Sequence, residues 1–441
     1  MRQSSGGCGA RHGGPQPVGG SLWALALALA GWLSAATSAW GQAPQIGSAA
    51  AVLMDSAAGT VLFDQAMHQR RPVASTTKIM TALIALQSAS LDDTVVIGED
   101  AVKVESPGLD FQPGETLTLG DLLTALLLKS SNAAAVAIAD HAAGSVGVFA
   151  QRMNQRARSL GAVDTHFVNP HGLYALDHYS SAYDLALITR EAMKYPRFRE
   201  LVAEKVAEIQ RPLIGTAETV ENHNKLLWRA GCVDGVKTGF VKESGQCLVA
   251  SATRNGWQLI AVVLDSPDTY GEALQLLDYG FAIYRQQVFA RRGDAVGRAP
   301  VRFGHLTSVP AICEQPLTQV TGPGLAAVGL LQVKLNALRA PIGRGAVVGE
   351  AQVLAGGQVI ARSRLLAAES VPRSRLIVAA NWALRLVVLL AVAGVGIRTG
   401  AKLIKDRRRR WRRLPPQGGR PDPGGPGQGQ RRDGDQSGLT G

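Results

Sequence analysis

The sequence predicts an α+β protein: a layered domain of about 240 residues, a small all-β domain, and one C-terminal helix long enough to cross a membrane. Three patterns carry this expectation. Short apolar runs joined by turn residues come first, helical periodicity fills the middle, and strand patterns return before a closing helix. The texture then changes to brief Val/Ala/Leu runs broken by Gly and Pro. Last comes an apolar stretch followed at once by a run of arginines.

Taken in order, residues 1–41 read as an export signal. Arg2 and Arg11 precede the apolar run Leu22 to Leu33, and small residues follow, with cleavage expected between Ala36 and Gly41. Ala49 to Met54 and Thr60 to Phe63, joined by Asp55 to Gly59, have the pattern of a hairpin. Helical spacing covers Ser75 to Ser88, Leu119 to Ala142, Val148 to Leu160 and Tyr183 to Lys194. Strands are expected at Gly235 to Val241, Gln246 to Thr253 and Gln258 to Leu264, and a helix at Tyr270 to Tyr284. Together these form a first domain over 44–285. Residues 291–370 read as the β-rich domain, with a hairpin turn at Gly356-Gly357.

Residues 376–397 form the apolar stretch, long enough to span a bilayer. Asn381 and Arg385 fall in its first half, where Arg385 can snorkel to the outer surface; an interfacial amphipathic helix is the competing reading. The basic run Lys402 to Arg413 favours spanning, with the tail 398–441 cytoplasmic and disordered and the folded domains outside. That tail explains the charge. The chain of 441 residues carries a formal +12, but twelve Lys and Arg against four Asp lie from Arg398 onward. The folded body is nearly neutral, which argues against a nucleic-acid partner.

With Cys8 removed in the signal, Cys232, Cys247 and Cys313 remain. Their spacing fits no metal motif, and no cofactor is expected. A Cys232–Cys247 disulfide is conceivable across one hairpin, but the two residues do not sit opposite each other, so free thiols are preferred.

Chemistry concentrates in three short motifs. Ser75-Thr76-Thr77-Lys78 opens a helical pattern, and residues three apart share a helix face. A serine hydroxyl is a weak nucleophile that needs a base, and a lysine serves if burial and neighbouring charge lower its pKa. Alone this pair reads more naturally as a capping serine and a solvated lysine. Ser130-Ser131-Asn132 is a polar break between two apolar helical runs, where Ser130 can relay a proton and Asn132 can hydrogen-bond a substrate amide. Lys237-Thr238-Gly239 lies on a predicted strand. Lys237 offers a cation for a substrate carboxylate, Thr238 a donor, and Gly239 room for a substrate backbone. The amide of Ser75 and one from the Lys237 strand would make an oxyanion hole.

These motifs, with Pro72 to Leu83, Leu126 to Ala134, Phe167 to Leu173, Asn222 to Leu227, Asp234 to Phe240 and Leu248 to Ala252, resemble the D-alanyl-D-alanine carboxypeptidases among the low-molecular-weight penicillin-binding proteins. The resemblance is strong over 44–285 and looser over 291–370. It implies a β-lactamase/transpeptidase-like three-layer domain, a C-terminal β domain and a membrane anchor. It further implies that Ser75 forms the acyl-enzyme, Lys78 accepts its proton, Ser130 assists, and Lys237 binds the substrate carboxylate. The implied substrates are peptidoglycan stem pentapeptides, with β-lactams as inhibitors. Ser131, Lys129 and Val241 depart from the common pattern and bear on substrate preference.

Two further readings compete. A serine β-lactamase would need a carboxylate base, and Glu218 to Asn222 is the one matching Glu-x-x-x-Asn spacing. A catalytically weak cell-wall-binding protein is the other, against which the intact motif residues argue. A Ser-His-Asp triad through His171 and Asp184 is not expected; His171 reads as a turn residue beside Gly172, and Asp184 as a helix cap.

Overall fold

The run Ala50–Asp55 is buried on every residue and forms the first strand, β1, because both of its faces meet a hydrophobic layer. The protein's computed structural model describes residues 43–106 and 108–411. The expected export signal over 1–41 lies outside them. The strands that follow are β2 (Val61–Gln65), β3 (Thr94–Val96), β4 (Thr116–Thr118), β5 (Val206–Arg211), β6 (Thr216–Glu221), β7 (Val233–Val241), β8 (Gly245–Arg254) and β9 (Trp257–Leu264). The helices are α1 (Lys78–Ser88), α2 (Glu99–Lys103), α3 (Leu119–Leu127), α4 (Asn132–Ala143), α5 (Val146–Ser159), α6 (Ala182–Ala192), α7 (Pro196–Ala203), α8 (Leu226–Arg229) and α9 (Thr269–Ile283).

A five-stranded antiparallel sheet of order β2-β1-β9-β8-β7 divides two cores. Strand alternation sorts the side chains. Ala50, Val52, Met54, Val249 and Val262 face the larger core with α1, α3, α4 and α6. Ala51, Leu53, Leu248, Ala250 and Ala261 face the smaller core with Ala273, Leu276 and Leu277 of α9. Helices, sheet and helix make three layers, and the mixed α+β fold is the one expected. Within the smaller details, Ser75 does not begin an α-helix; Ala74–Thr77 is a 3-10 turn, and α1 starts at Lys78.

The β5–β6 hairpin had no clear signal in the sequence, because its alternating residues are mostly exposed and only Ile209 and Val220 are fully buried hydrophobics. An ion pair fastens it to the loop after α2. Arg211 Nε and its two terminal nitrogens reach Glu115 Oε1 at 2.8 Å, Glu115 Oε2 at 2.9 Å and Glu218 Oε2 at 2.7 Å. The guanidinium also donates to the Asp110 carbonyl at 2.7 Å and stacks over Phe111.

Residues 285–369 add β10 (Arg285–Ala290), β11 (Ala295–Arg302), β12 (Ser308–Cys313), β13 (Leu317–Thr321), β14 (Leu330–Leu335), β15 (Leu338–Arg339), β16 (Val347–Ala355) and β17 (Gln358–Ala367). Strand β10 pairs with β13, and β14-β16-β17-β12-β11 follow in order, all antiparallel. Gly356 and Gly357 form the turn between β16 and β17. Cys232, Cys247 and Cys313 are free thiols. Cys247 stands opposite Gly239 in the ladder, so Cys232 has no facing sulfur.

The chain falls into two units, one running to 300 with 308–338 and 344–369, the other holding 301–307, 339–343 and 370 onward. In the second, α10 (Arg375–Trp411) contains the apolar stretch, whose side chains are exposed. The sequence places the start of a disordered tail at 398; instead the helix continues through the basic run to Trp411. Arg and Lys are good helix formers, they complement the helix C-terminus, and no proline intervenes before Pro415. The rest of that tail lies outside the described residues.

The Arg211–Glu115 pair yields the first prediction. Burial pushes the Glu115 carboxyl up, but hydrogen bonds from Arg211 and the Gln112 amide outweigh it and leave the carboxyl below its ordinary 4.5. A depressed carboxyl contributes stability above its ordinary pKa and loses it as pH falls through the folded value. Glu115→Ala should therefore cost about 3 kcal/mol in urea unfolding at pH 7, because it leaves Arg211 underpaired. The deficit should shrink below pH 4; a deficit independent of pH would contradict the assignment.

Candidate active site

The site forms where the 3-10 turn meets the exposed edge of β7. Ser75 sits in that turn, and Lys78 follows as the first residue of α1. Lys78 Nζ is fully buried and contacts Ser75 Oγ at 2.9 Å, Asn132 Oδ1 at 2.6 Å and the His171 carbonyl at 2.7 Å. No carboxylate pairs with it among the described residues. Burial lowers its pKa well below 10.5, and the neighbouring charge of Lys237 pushes the same way. A neutral amine suits this environment. Its two N–H groups serve Asn132 and His171, both acceptors there, and its lone pair faces the Ser75 hydroxyl.

Asn132 is itself held. Its Nδ2 donates to the Glu105 carbonyl at 2.6 Å, and its backbone N–H donates to Ser106 Oγ at 2.9 Å. The amide expected to face substrate is thus also a brace for Lys78, with one Nδ2 hydrogen left over. Ser131 caps α4 by accepting from the Ala134 amide. Ser130 bridges α3 and α4 in the left-handed region, at φ +63°, a costly conformation for a residue with a side chain. It lines the same cavity as Ser75.

Lys237 is buried on β7, and its Nζ donates to the Thr238 carbonyl at 3.1 Å. Burial brings its pKa down to about 7. The cavity is about 260 Å³ and is lined by Ser75, Ser130, Thr238, Gly239, Phe240 and His223 among others. At Gly239 a side chain would meet Val73 O at 3.0 Å, Ser75 N at 3.1 Å and Ala74 Cβ at 3.2 Å. The glycine therefore makes room first for the nucleophile turn, and keeps the Ser75 amide open. Gly172 does the same from the other side. Its φ is +89°, and a Cβ there would overlap the Ala74 carbonyl.

His171 and Asp184 form no pair. His171 Nδ1 accepts from the Leu173 amide at 3.1 Å, in a turn that Asn169 Oδ1 closes by accepting from Gly172 N at 2.7 Å. Ser181, not Asp184, caps α6; Asp184 Oδ2 instead accepts from the Asp164 amide and Thr165 Oγ1, both at 2.7 Å. A nearby serine with its side chain already suited to capping displaced the aspartate from that duty. Glu218 and Asn222 are also engaged elsewhere, with Arg211 and with the Glu204 carbonyl.

Three contributors went unnoticed in the sequence. Glu105 and Ser106 hold Asn132 from a loop without any motif. His178 accepts from the Val168 amide on Nδ1 at 3.1 Å, so its Nε2–H donates to Thr77 Oγ1 at 2.9 Å and fixes the turn beside Ser75. His223 reaches the cavity from the segment before α8. None has a local signature, because each acts across a large sequence separation.

A serine with a buried lysine base, on a sheet edge between helical layers, defines a serine acyl-transfer enzyme of the penicillin-binding type. Comparison with known proteins specifies it. Residues 37–268 match the peptidase S11 family, described as D-alanyl-D-alanine carboxypeptidase, and residues 284–373 match the penicillin-binding protein 5 C-terminal domain. The chain is 30% identical over 335 residues to the D-alanyl-D-alanine carboxypeptidase DacF of Bacillus subtilis, covering 74% of this chain and 86% of that protein. It is 34% identical over 350 residues to DacD of Escherichia coli, covering 75% and 88%. The solved penicillin-binding protein 5 of Haemophilus influenzae superposes with a TM-score of 0.58 at 30% identity, covering 75% of this chain and 99% of that one. The chain belongs to the D-alanyl-D-alanine carboxypeptidase family. It is accordingly a serine-type carboxypeptidase of D-Ala-D-Ala termini, and β-lactam binding is typical of its family.

The close approach at Gly239 is testable. Gly239→Ala should slow acylation by a fluorescent penicillin about a hundredfold while the melting temperature changes little. Unimpaired labelling would show that the turn and strand have more room than these distances allow.

Proposed function

We propose that Ser75 is the nucleophile that cleaves the terminal D-alanine from peptidoglycan stem pentapeptides. The observation that carries this is the environment of Lys78 Nζ: buried, without an acid, and 2.9 Å from Ser75 Oγ. As Ser75 Oγ attacks the carbonyl of the penultimate D-alanine, its proton passes to the neutral Lys78 amine. The oxyanion is held by the Ser75 amide and an amide of β7. Ser130 passes a proton to the departing amine, so D-alanine leaves as the C–N bond breaks. Water then hydrolyses the ester. Lys237 and Thr238 hold the carboxylate of the terminal D-alanine, and Asn132 keeps Lys78 in place and offers its remaining N–H to the peptide. The same serine takes β-lactams.

The function is exercised at the outer face of the cell membrane in this proposal. The helix α10 spans as a single pass, its basic end Arg407 to Arg410 is cytoplasmic, and the signal exports the rest. The β domain would then act as a spacer between membrane and catalytic domain.

The expected outcomes are specific. Ser75→Ala should release no D-alanine from a pentapeptide and form no penicillin adduct; any release by that variant would overturn the assignment. Lys78→Ala should lower acylation by about 10³-fold. Lys78 is a base only when unprotonated, so kcat/KM should rise as pH rises through its lowered pKa. Lys237 binds a carboxylate only when protonated, and its pKa of about 7 sets a falling alkaline limb. Lys237→Arg should move that limb upward, because arginine does not deprotonate; an unmoved limb would assign it to another group. For the topology, protease added to intact cells should not reach the Arg407 to Arg410 segment, and cleavage there would reverse the orientation.

A further inference from the structure

His223 enters the catalytic cavity with a side chain that the fold leaves unused. Its backbone is fastened on both sides: the N–H donates to the Leu128 carbonyl at 3.0 Å, and the carbonyl accepts from Tyr270 Oη at 3.3 Å. The ring is half-buried and makes no hydrogen bond among the described residues, although it shares the cavity with Ser75, Ser130 and Thr238. A rigidly mounted imidazole with two unpaired nitrogens beside a reacting serine is placed to meet a ligand.

The charges around it have one sign. Burial pushes the His223 imidazole down to about 4, and the positive charges of Lys237, Lys129 and Lys225 push in the same direction. The one acid acting on it, Glu221, is shared with Lys225 at 3.5 Å, and both of those side chains are mostly in solvent. Lys129 directly precedes the Ser130 motif, and Lys225 lies two residues after His223, so both flank the same end of the cleft. Lys237 is committed to the terminal carboxylate in the proposed mechanism. Lys129 and Lys225 have no such role.

We propose that His223, flanked by Lys129 and Lys225, forms an accessory anion subsite that takes a second carboxylate, carried by the side chain of the residue preceding D-Ala-D-Ala in the acyl-donor peptide. His223 donates one N–H to that carboxylate, and the two lysines supply the field. An approaching carboxylate relieves the mutual repulsion of these cations, while an ammonium at the same position adds to it. The subsite thereby selects peptides by side-chain charge. The inference rests on the cleavage reaction proposed above, but is read out as a ratio between substrates.

The test uses the full-length protein in detergent and three peptides ending in D-Ala-D-Ala. The residue before that terminus bears a side-chain carboxylate, its amide, or an amine of similar length. The wild type should turn over the carboxylate peptide with kcat/KM about tenfold above the amide peptide, and the amine peptide should be poorest. His223→Ala, and separately the Lys129→Gln/Lys225→Gln double variant, should bring the three close to parity. Added salt should compress the wild-type preference in the same order. Equal turnover of all three by the wild type would overturn the proposal. So would a preference that survives both the histidine and the lysine changes in proteins of unchanged melting temperature. If His223→Ala does not fold, the double variant decides, since both lysines reach solvent. Failure of the underlying mechanism looks different: Ser75→Ala would then still release D-alanine from every peptide.

Discussion

Everything at this site depends on keeping one amine dry and without a counter-ion. A lysine enclosed by protein ordinarily needs an acid or gives up its proton. Lys78 has neither an acid beside it nor access to water, only two carbonyl-type oxygens and a serine. The arrangement satisfies a neutral amine and leaves its lone pair toward the hydroxyl. What the protein supplies is a polarity balance that makes a poor nucleophile and an ordinarily protonated base useful to each other.

That balance requires three distant segments to converge on a few ångströms. The start of α1 brings Ser75 and Lys78, the α3–α4 junction brings Asn132, and the 169–173 turn brings the His171 carbonyl. Each is held from behind. Glu105 and Ser106 brace Asn132, Asn169 closes the turn, and His178 pins Thr77. The loop that carries Glu105 is tied in turn to the β5–β6 hairpin through Glu115 and Arg211. Stability invested in that buried ion pair therefore maintains the geometry of the base. Gly172 and Gly239 allow the nucleophile turn to lie against both neighbours without side chains intervening.

The second constraint is electrostatic. Lys78 and Lys237 are both buried and each lowers the other's hold on a proton, so the empty cleft is short of negative charge. A substrate that brings a carboxylate supplies what the fold withholds. Binding and catalysis are linked in this way, because the anion that satisfies Lys237 leaves Lys78 to act as base. The same reasoning extends outward to His223, whose ring sits in the field of the same cations.

The sequence by itself determined the layer order, the strand and helix patterning, and the chemical identity of the site. These are local properties: alternation in Val52 to Met54, helical spacing in Leu122 to Leu127, and Ser75 three residues before Lys78 are all written within one or two turns of chain. The family resemblance then joined Ser130 and Lys237 to that pair. Only the tertiary structure decided that Asn132 is a brace as well as a ligand contact, that Ser181 caps where Asp184 was expected to, and that the basic run prolongs α10. It also brought in Glu105, His178 and His223, and the β5–β6 hairpin with its buried pair. The physical reason is common to all of these. Hydrogen bonds and charge fields act through space, between residues whose separation along the chain leaves no pattern to read.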